Sequence, residues 1–342
     1  MFRGTFALLL LVLGLQAAAS STVRIDDPVQ HFVFASCNRQ HNPQPLWKDI
    51  IAQRPQFFLW GGDNVYINSS DPDVMKKEYL VLLDNPDYQD LRRQTPIIGT
   101  WDDHDYGEDN GGIGFLIKDF SQSQFLDFIG EPAISPRRSQ KGIYTAYTMG
   151  PPDQLVKVIL LDTRFHKTSS FATDADILGE EQWQWLEEQL AGSKAKVHFL
   201  VSSFSVLSPR LVGGEQWIDW GKANARLEEL IETYQPSGLV ILTGDRHFAG
   251  MLKKQLPNGI TYYELMASGL THVAKPILRP LLRKIYGKNN VVFERNFGVI
   301  RLDWNSGALA MSFEVHTDKS PGSPPWVRNF QMDSSGIWKL SQ

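Results

Sequence analysis

Cys37, Asp63, Tyr66, Asp103, His104, Asp245 and His247 are the side chains of this sequence best suited to hold cations and move protons. They fall at four places, each just after a short apolar run: 32–35, 57–60, 96–98 and 239–242. Singly, each has an ordinary reading. An aspartate after a strand is common turn chemistry, a histidine there is usually a solvated group, Tyr66 could be core, and a lone cysteine often packs as a small hydrophobe. Four metal-competent strand ends in one chain are much harder to obtain by chance. The chemistry that needs such a set is cleavage of a phosphate ester. Two cations roughly 3.5–4 Å apart clamp the phosphate oxygens and lower the pKa of a bound water. Asp63 is the candidate bridging carboxylate. A thiolate from Cys37 and a phenolate from Tyr66 suit ferric iron better than magnesium, which prefers oxygen ligands and keeps its waters. His104, beside Asp103, is placed to protonate a leaving alkoxide.

The elements that must position these groups follow from hydrophobic periodicity. The pattern predicts strands over 32–35, 57–61, 95–100, 144–148, 155–161, 197–204 and 238–242, with later strands over 260–266, 297–302 and 308–315. It predicts helices over 44–54, over 74–93 with a break at Asn85-Pro86, around Phe120 to Ile129, over 179–190 and over 223–234. Strands alternating with helices, with polar groups at the strand exits, imply an α/β protein whose site lies at the carboxyl ends of its strands. Gly61 and Gly62 permit the sharp turn into Asp63. No internal repeat or low-complexity linker divides the chain.

Composition bounds the answer further. With 42% hydrophobic and 21% charged residues the chain is globular rather than disordered. A net charge of −4 argues against a nucleic-acid-binding surface. Arg3, an apolar run from Phe6 to Leu15 and Ala17-Ala18-Ala19 have the form of a secretory signal peptide over 1–19, too short to span a membrane. We therefore expect a secreted or periplasmic protein without a transmembrane segment, acting as a monomer. Cys37 is the only cysteine, so no internal disulfide can form, and in an oxidising compartment that thiol must be buried or protected.

Taken as an ordered set, Ala-Ser-Cys-Asn at 35–38, Gly-Asp-Asn-Val-Tyr at 62–66, Trp-Asp-Asp-His-Asp at 101–105 and Gly-Asp-Arg-His at 244–247 resemble the PhoD-like alkaline phosphatases, a branch of the metallophosphoesterases. Leu-Asp-Thr-Arg at 161–164, Leu178-Gly179 with Trp185-Leu186-Glu187, Ser-Gly-Leu-Thr-His at 268–272 and Asn-Phe-Gly at 296–298 extend the likeness across most of residues 32–302. The Asp-x-x-Tyr piece is also similar to purple acid phosphatases, whose tyrosine binds ferric iron. The resemblance implies a four-layer αββα sandwich, formed by one catalytic domain over 20–342, that hydrolyses phosphate mono- or diesters by attack of a metal-activated water. It makes Cys37, Asp63 and Tyr66 iron ligands, with Asp63 bridging, and makes Asp103, Asp245 and His247 further metal ligands. His104 matches a proton donor or substrate contact.

Departures from the wider superfamily replace imidazoles with other groups. Its opening Asp-x-His is here Cys37-Asn38-Arg39, and the histidine of its penultimate motif is missing from Val201-Ser202-Ser203. The second site is left oxygen-rich, so calcium is expected beside Fe3+, with zinc or manganese as alternatives. Only about a dozen residues separate the leader from the first strand, so the N-terminal β domain that such enzymes often carry is expected to be missing.

Arg39, Arg164 and Arg246 lie near strand exits, each able to grip a phosphate or to pair with a nearby carboxylate. From Lys275 to Lys288 five basic residues and no acid are interleaved with isoleucines and leucines. That segment is a lid, a solvated face or a rest on anionic lipid, the last suiting a phospholipid as the phosphate ester. Asn68-Ser69-Ser70 has the form of a glycosylation sequon. A serine hydrolase built on Ser202, Ser203 or Ser205 is the rival reading, although no Gly-x-Ser-x-Gly elbow is present.

Overall fold

The computed structural model describes residues 24–211, 214–305 and 307–341; the expected leader, 1–19, lies outside the described residues. Among the described residues fourteen strands form two sheets. In chain order they are β1 (His31–Ala35), β2 (Phe58–Gly61), β3 (Ile97–Thr100), β4 (Thr145–Met149), β5 (Val156–Leu160), β6 (Val197–Ser202) and β7 (Leu239–Thr243). There follow β8 (Ala249–Gln255), β9 (Thr261–Ala267), β10 (Val291–Val292), β11 (Asn296–Asp303), β12 (Ala310–Thr317), β13 (Trp326–Met332) and β14 (Trp338–Leu340). The helices are α1 (Trp47–Ala52), α2 (Pro72–Leu83), α3 (Pro86–Gln94), α4 (Asp103–Tyr106), α5 (Lys118–Ile129), α6 (Glu180–Leu190), α7 (Gly221–Tyr234) and α8 (Arg279–Tyr286).

One sheet has the order β14-β13-β12-β11-β1-β2-β3 and the other β10-β8-β9-β7-β6-β5-β4. Their inner faces pack on each other. Along β1, Phe32 and Phe34 point inward to meet Phe199 and Val201 of β6, whereas Val33 and Ala35 point outward to the helices. Such alternation follows from the two-residue repeat of a strand. Residues of α1, α2, α3 and α5 cover the outer face of the first sheet, around Trp47, Tyr79, Tyr88 and Phe128. Those of α6 and α7 cover the second, around Trp183, Leu186, Leu227 and Ile231. The layers are therefore helix, sheet, sheet, helix, as expected for the αββα sandwich. Among the described residues no helix is long and apolar enough to cross a membrane.

The helix starts obey local chemistry. Asp71 and Asn85 cap α2 and α3 through the backbone N–H groups of Asp73 and Tyr88, each with a proline next in line. The break predicted at Asn85-Pro86 is this second cap. Within the first sheet β1, β2 and β3 run parallel; in the second, β5, β6, β7 and β9 do. Their carboxyl ends gather at one edge of the sandwich. There Thr100 Oγ1 donates to the carbonyl of Leu161 at 2.7 Å, joining the exits of β3 and β5. A Cβ on Gly244 would stand 2.7 Å from Ser36 Oγ and 2.9 Å from the carbonyls of Gly61 and Ser203, so four strand exits meet only because this residue has no side chain.

His198 of β6 gives this sandwich a pH response away from that edge. Its ring is buried between the Ser237 carbonyl, 2.7 Å from Nδ1, and Ser193 Oγ, 2.8 Å from Nε2. Burial holds its pKa down at about 4, despite the bond to Ser237. The folded chain refuses a proton that the unfolded chain accepts below about 6.5, so stability is whole above that value and falls as the pH drops towards 4. The expected loss is about 1.4 kcal/mol per pH unit inside the window. Urea midpoints measured at pH 7.5 and pH 5 should differ less for His198→Gln than for the parent. Equal differences would show that His198 does not carry the effect.

Candidate metal centre

Each parallel strand delivers at least one polar group to the shared edge. Cys37 follows β1, Asp63 follows β2, Asp102 and Asp103 follow β3, and Arg164 follows β5. Ser203 follows β6, Asp245 and His247 follow β7, and His272 follows β9. The chain reverses tightly at these exits. Cys37, Asp63, Asp245 and His247 all have left-handed backbone, with φ of 61°, 53°, 68° and 61°. For a side-chain-bearing residue that conformation costs about 1–3 kcal/mol and persists only where the surroundings enforce it. Gly62, at φ 102°, is needed for a second reason. A Cβ there would lie 2.8 Å from that of Asp102 and 2.9 Å from that of Ser203.

The ligand-type atoms converge. Those of Cys37, Asp63 and His247 lie within 4.8 Å of one another, as do those of Asp63, Asp103 and His104, and those of Asp63, Asp102 and Asp245. Asp63 belongs to all three groups. Its Oδ2 is 3.6 Å from Cys37 Sγ and accepts from the Tyr66 hydroxyl at 3.0 Å. That hydroxyl is also 3.2 Å from His247 Nε2 and 3.0 Å from His272 Nε2. Cys37, Asp63, Tyr66, Asp103, His104, Asp245 and His247, singled out from the sequence, are thus together in space.

Three carboxylate oxygens in this cluster, Asp63 Oδ1, Asp102 Oδ2 and Asp103 Oδ1, are buried with no hydrogen-bond partner. Orphaned acidic oxygens are costly unless a cation meets them. Without one, the acids repel. Burial first, and then Asp103, Asp102, Asp105 and Asp245, push Asp63 well above the usual carboxylate range. Asp102 is driven up by burial although Arg164 opposes it. Burial raises Asp245 to about 6 against the pull of Arg246. For Asp103, Arg164 and His104 outweigh burial and lower it to about 2. Burial, Asp63 and Asp245 raise the Cys37 thiol, and burial with Asp63 raises the Tyr66 phenol. Burial depresses His247 to about 4, keeping a neutral imidazole of the kind that binds metals. The donor set, rich in carboxylates with one thiol, one phenol and neutral imidazole, fits bound cations.

The surrounding groups hold these acids in place. Asp105 Oδ1 accepts from the backbone N–H of Asn64 and of Val65, and its Oδ2 from that of Asp102, tying the loop after β2 to the start of α4. Asp162 receives Trp101 Nε1 and the backbone N–H groups of Ile143, Arg164 and Phe165. Asp102 Oδ1 accepts from Arg164 Nε at 2.6 Å and from Ser203 Oγ at 2.7 Å, which leaves Oδ2 for the cluster. His104 Nδ1 is 2.5 Å from Asn68 Oδ1. With the amide oxygen facing the ring, Nδ1 carries the proton and Nε2 is left free of that bond.

The three arginines divide. Arg39, Arg246, Asp103, His104, Asp245, His247 and His272 all line a cleft of about 630 Å³. Arg164, a candidate for gripping phosphate or for pairing with a carboxylate, does not. It is 1% exposed, its guanidinium is taken by Asp102 and by Glu215, and it lies over the Phe204 ring. It is a counter-charge behind the acids rather than a contact in front of them. The serine reading fails on hydrogen bonding. Ser202, Ser203 and Ser205 donate to the Phe204 carbonyl, to Asp102 and to Glu264, none to a histidine.

Asp102, His272 and Asn68 were missed as site residues. Asp102 and Asp103 are neighbours, and in an extended strand their side chains would point to opposite faces. Here Asp102 is the extended N-cap residue and Asp103 the first residue of α4, so both turn to one side. His272 sits in the loop after β9, five residues beyond the strand, and Asn68 was seen only as part of a sequon.

Known proteins share this fold. Among solved structures the chain superimposes on PhoD with a TM-score of 0.72 and 16% identity, covering 93% of this chain and 72% of that one. It superimposes on the purple acid phosphatase PPD1 from yellow lupin (Lupinus luteus) seeds with a TM-score of 0.58 and 12% identity, covering 93% and 56%. At such identities the likeness is one of fold. No curated protein matches the sequence. The profile of the PhoD-like phosphatases matches residues 125–313, more than half of the chain, a span that includes Arg164, Asp245, His247 and His272. The chain therefore belongs to the PhoD-like phosphatase family and is a metal-dependent phosphoric ester hydrolase.

Proposed function

We propose that the protein is an exported phosphoesterase that hydrolyses phosphate mono- or diesters, with Fe3+ and a divalent cation held at the convergent strand ends. The observation that carries this reading is the meeting of unpartnered, buried oxygens of Asp63, Asp102 and Asp103 with Cys37, Tyr66 and His247. Cys37, Asp63, Tyr66 and His247 would hold the iron, since thiolate and phenolate together favour a trivalent ion. Asp63, Asp102, Asp103 and Asp245 would hold the second ion. An all-carboxylate set favours calcium, with manganese or zinc less well matched. Asp63 is common to both, one oxygen engaged by Cys37 and Tyr66 and the other free. When bound, such cations neutralise the phosphate oxygens and acidify water at the site.

The chain's own residues supply the rest. Arg39 and Arg246 line the cleft and are placed to hold the non-bridging phosphate oxygens; Arg39 also lies over the Tyr66 ring, 4.9 Å from its centre. His104, held by Asn68 through Nδ1–H, would deliver a proton from Nε2 to the departing alkoxide when its ring carries a proton on both nitrogens. The cleft shares Asp109, Asn110, Leu211 and Gly214 with a trough of about 890 Å³, room for an ester substituent beyond the phosphate itself. Contributions from Cys37 through His272 support one catalytic domain over 20–342, and the leader over 1–19 supports export to the periplasm or medium.

Protein purified without chelators should contain iron and a second metal and should be coloured by a thiolate- or phenolate-to-iron transition. Cys37→Ala and Asp63→Ala should both abolish ester hydrolysis while remaining soluble, and Cys37→Ala should change or remove the colour. Near-normal rates in either variant would remove that residue from the ligand set. A colourless, metal-free and active preparation would overturn the site as drawn. His104→Gln should slow hydrolysis of an alkyl phosphate ester by about 10²–10⁴-fold, the usual worth of a general acid. A nitrophenyl ester, whose leaving group needs no proton, should be slowed far less. Equal losses on both substrates would exclude the proton-donor role.

A further inference from the structure

The lip formed by Lys275–Leu278 and α8 closes one side of the cleft, and nothing in the proposed chemistry uses its outer surface. Lys275, Leu278, Leu281 and Leu282 line the cleft. Inwardly the lip is anchored: Leu282 and Tyr286 are buried against Phe248, Met266 and Phe293. The backbone N–H of Ala274 donates to the His247 carbonyl at 2.6 Å, and Arg279 and Arg283 stack over the Phe293 ring. Its rim is bare: Ile277 is 83% exposed, and Leu281 (49%) and Leu278 (46%) are exposed where they line the mouth of the cleft. A face meant only for water would not present three large aliphatic side chains together. Lys275, Arg283, Lys284 and Lys288 are exposed around them, and no acidic residue occurs between Lys275 and Lys288.

Apolar side chains ringed by cations on a rigid surface element are what an anionic bilayer binds, the aliphatic groups entering the headgroup boundary and the cations meeting lipid phosphates. The chain as a whole carries a net charge of −4, so an anionic membrane attracts this lip locally while repelling the remainder. Attachment would thus be oriented, with the cleft brought to the lipid. Phe171, 98% exposed, and Ile113 line the trough that continues the cleft, adding apolar groups to the same opening.

We infer that the lip from Lys275 to Lys288 docks the enzyme on anionic lipid surfaces, so that its substrates include phosphate esters displayed there. The second half of this statement rests on the phosphoesterase reading; the docking does not. The test is co-sedimentation of the full chain with vesicles of phosphatidylcholine and phosphatidylglycerol in equal parts, against vesicles of phosphatidylcholine alone. Binding should require the anionic lipid and weaken with salt. It should fall about tenfold or more in Lys284→Glu/Lys288→Glu and comparably in Ile277→Asp. All of these proteins should turn over a soluble nitrophenyl ester at the parent rate, which also verifies folding. Absence of binding to the mixed vesicles, or binding that neither variant weakens, would overturn the docking surface. Loss on charge reversal with none on Ile277→Asp would make the lip a site for soluble polyanions and overturn the lipid assignment. Vesicle binding by a protein that hydrolyses no ester would leave the docking surface standing and remove only the enzymatic reading.

Discussion

Like-charge repulsion among largely buried acids governs this molecule. Asp63, Asp102, Asp103 and Asp245 bring carboxylates close together at the edge of a sandwich, with a thiol and a phenol beside them. Two unit charges about 4 Å apart at a partly buried site repel by about 4 kcal/mol. In the absence of cations the groups respond as physics requires, and Asp63, Asp102, Asp245, Cys37 and Tyr66 are all driven towards their protonated forms. Much of the surrounding structure serves to hold them against that repulsion. Asp105 ties two loops by three backbone N–H groups, Arg164 and Ser203 fix one oxygen of Asp102, and four ligand-type residues are locked in left-handed backbone. Strain and repulsion of this size are sustained because the two sheets bury a large shared apolar face.

Convergence itself is a property of topology. All seven parallel strands point their carboxyl ends to one edge, so every exit loop opens onto the same space. Residues separated by more than 200 positions, such as Tyr66 and His272, can then touch. The donors are nonetheless sorted. Cys37 and His247, with Tyr66 beside them, group with Asp63 in one set, whereas Asp102 and Asp245 group with it in another and Asp103 with His104 in a third. Asp63 is the member common to all three, with Oδ2 engaged by Cys37 and Tyr66 and Oδ1 unpartnered.

Much of this was legible in the chain. Apolar runs and caps announced the strands and helices that carry the site, because burial on both faces and unpaired helix N–H groups leave local marks. The strand exits of Cys37, Asp63, Asp103 and Asp245 were readable for the same reason. Other features depend on tertiary context. The strands β8, β13 and β14 lack a strong local pattern, since β8 is buried only in its first half and β13 presents much of its length to solvent. Arg164 illustrates the limit best. Its spacing from a strand end is indistinguishable from that of Arg39 or Arg246. What separates them is that Glu215, far along the chain, closes over it from behind.

That division of arginines lets the charges of the site be balanced. With Asp63, Asp102, Asp103, Asp245, Cys37 and Tyr66 all deprotonated, six negative charges stand in the pocket. Arg164, paired with Asp102, neutralises one, while Glu215 is matched by Lys167. Five negative charges remain, the number that a trivalent and a divalent cation together cancel. His247 and His272, held neutral by burial, add donors without changing the sum. On the proposed reading a phosphate ester would enter a pocket already close to balance and meet Arg39 and Arg246 on the walls of the cleft, the second of these also 3.9 Å from Asp245. A thiolate in place of one more carboxylate keeps this sum unchanged, while a histidine at position 37 would leave it one charge short. Buried ionic groups are tolerated only when compensated, and on the proposed reading a trivalent and a divalent ion would compensate this set, whereas two divalent ions would leave the thiolate or the phenolate unmatched.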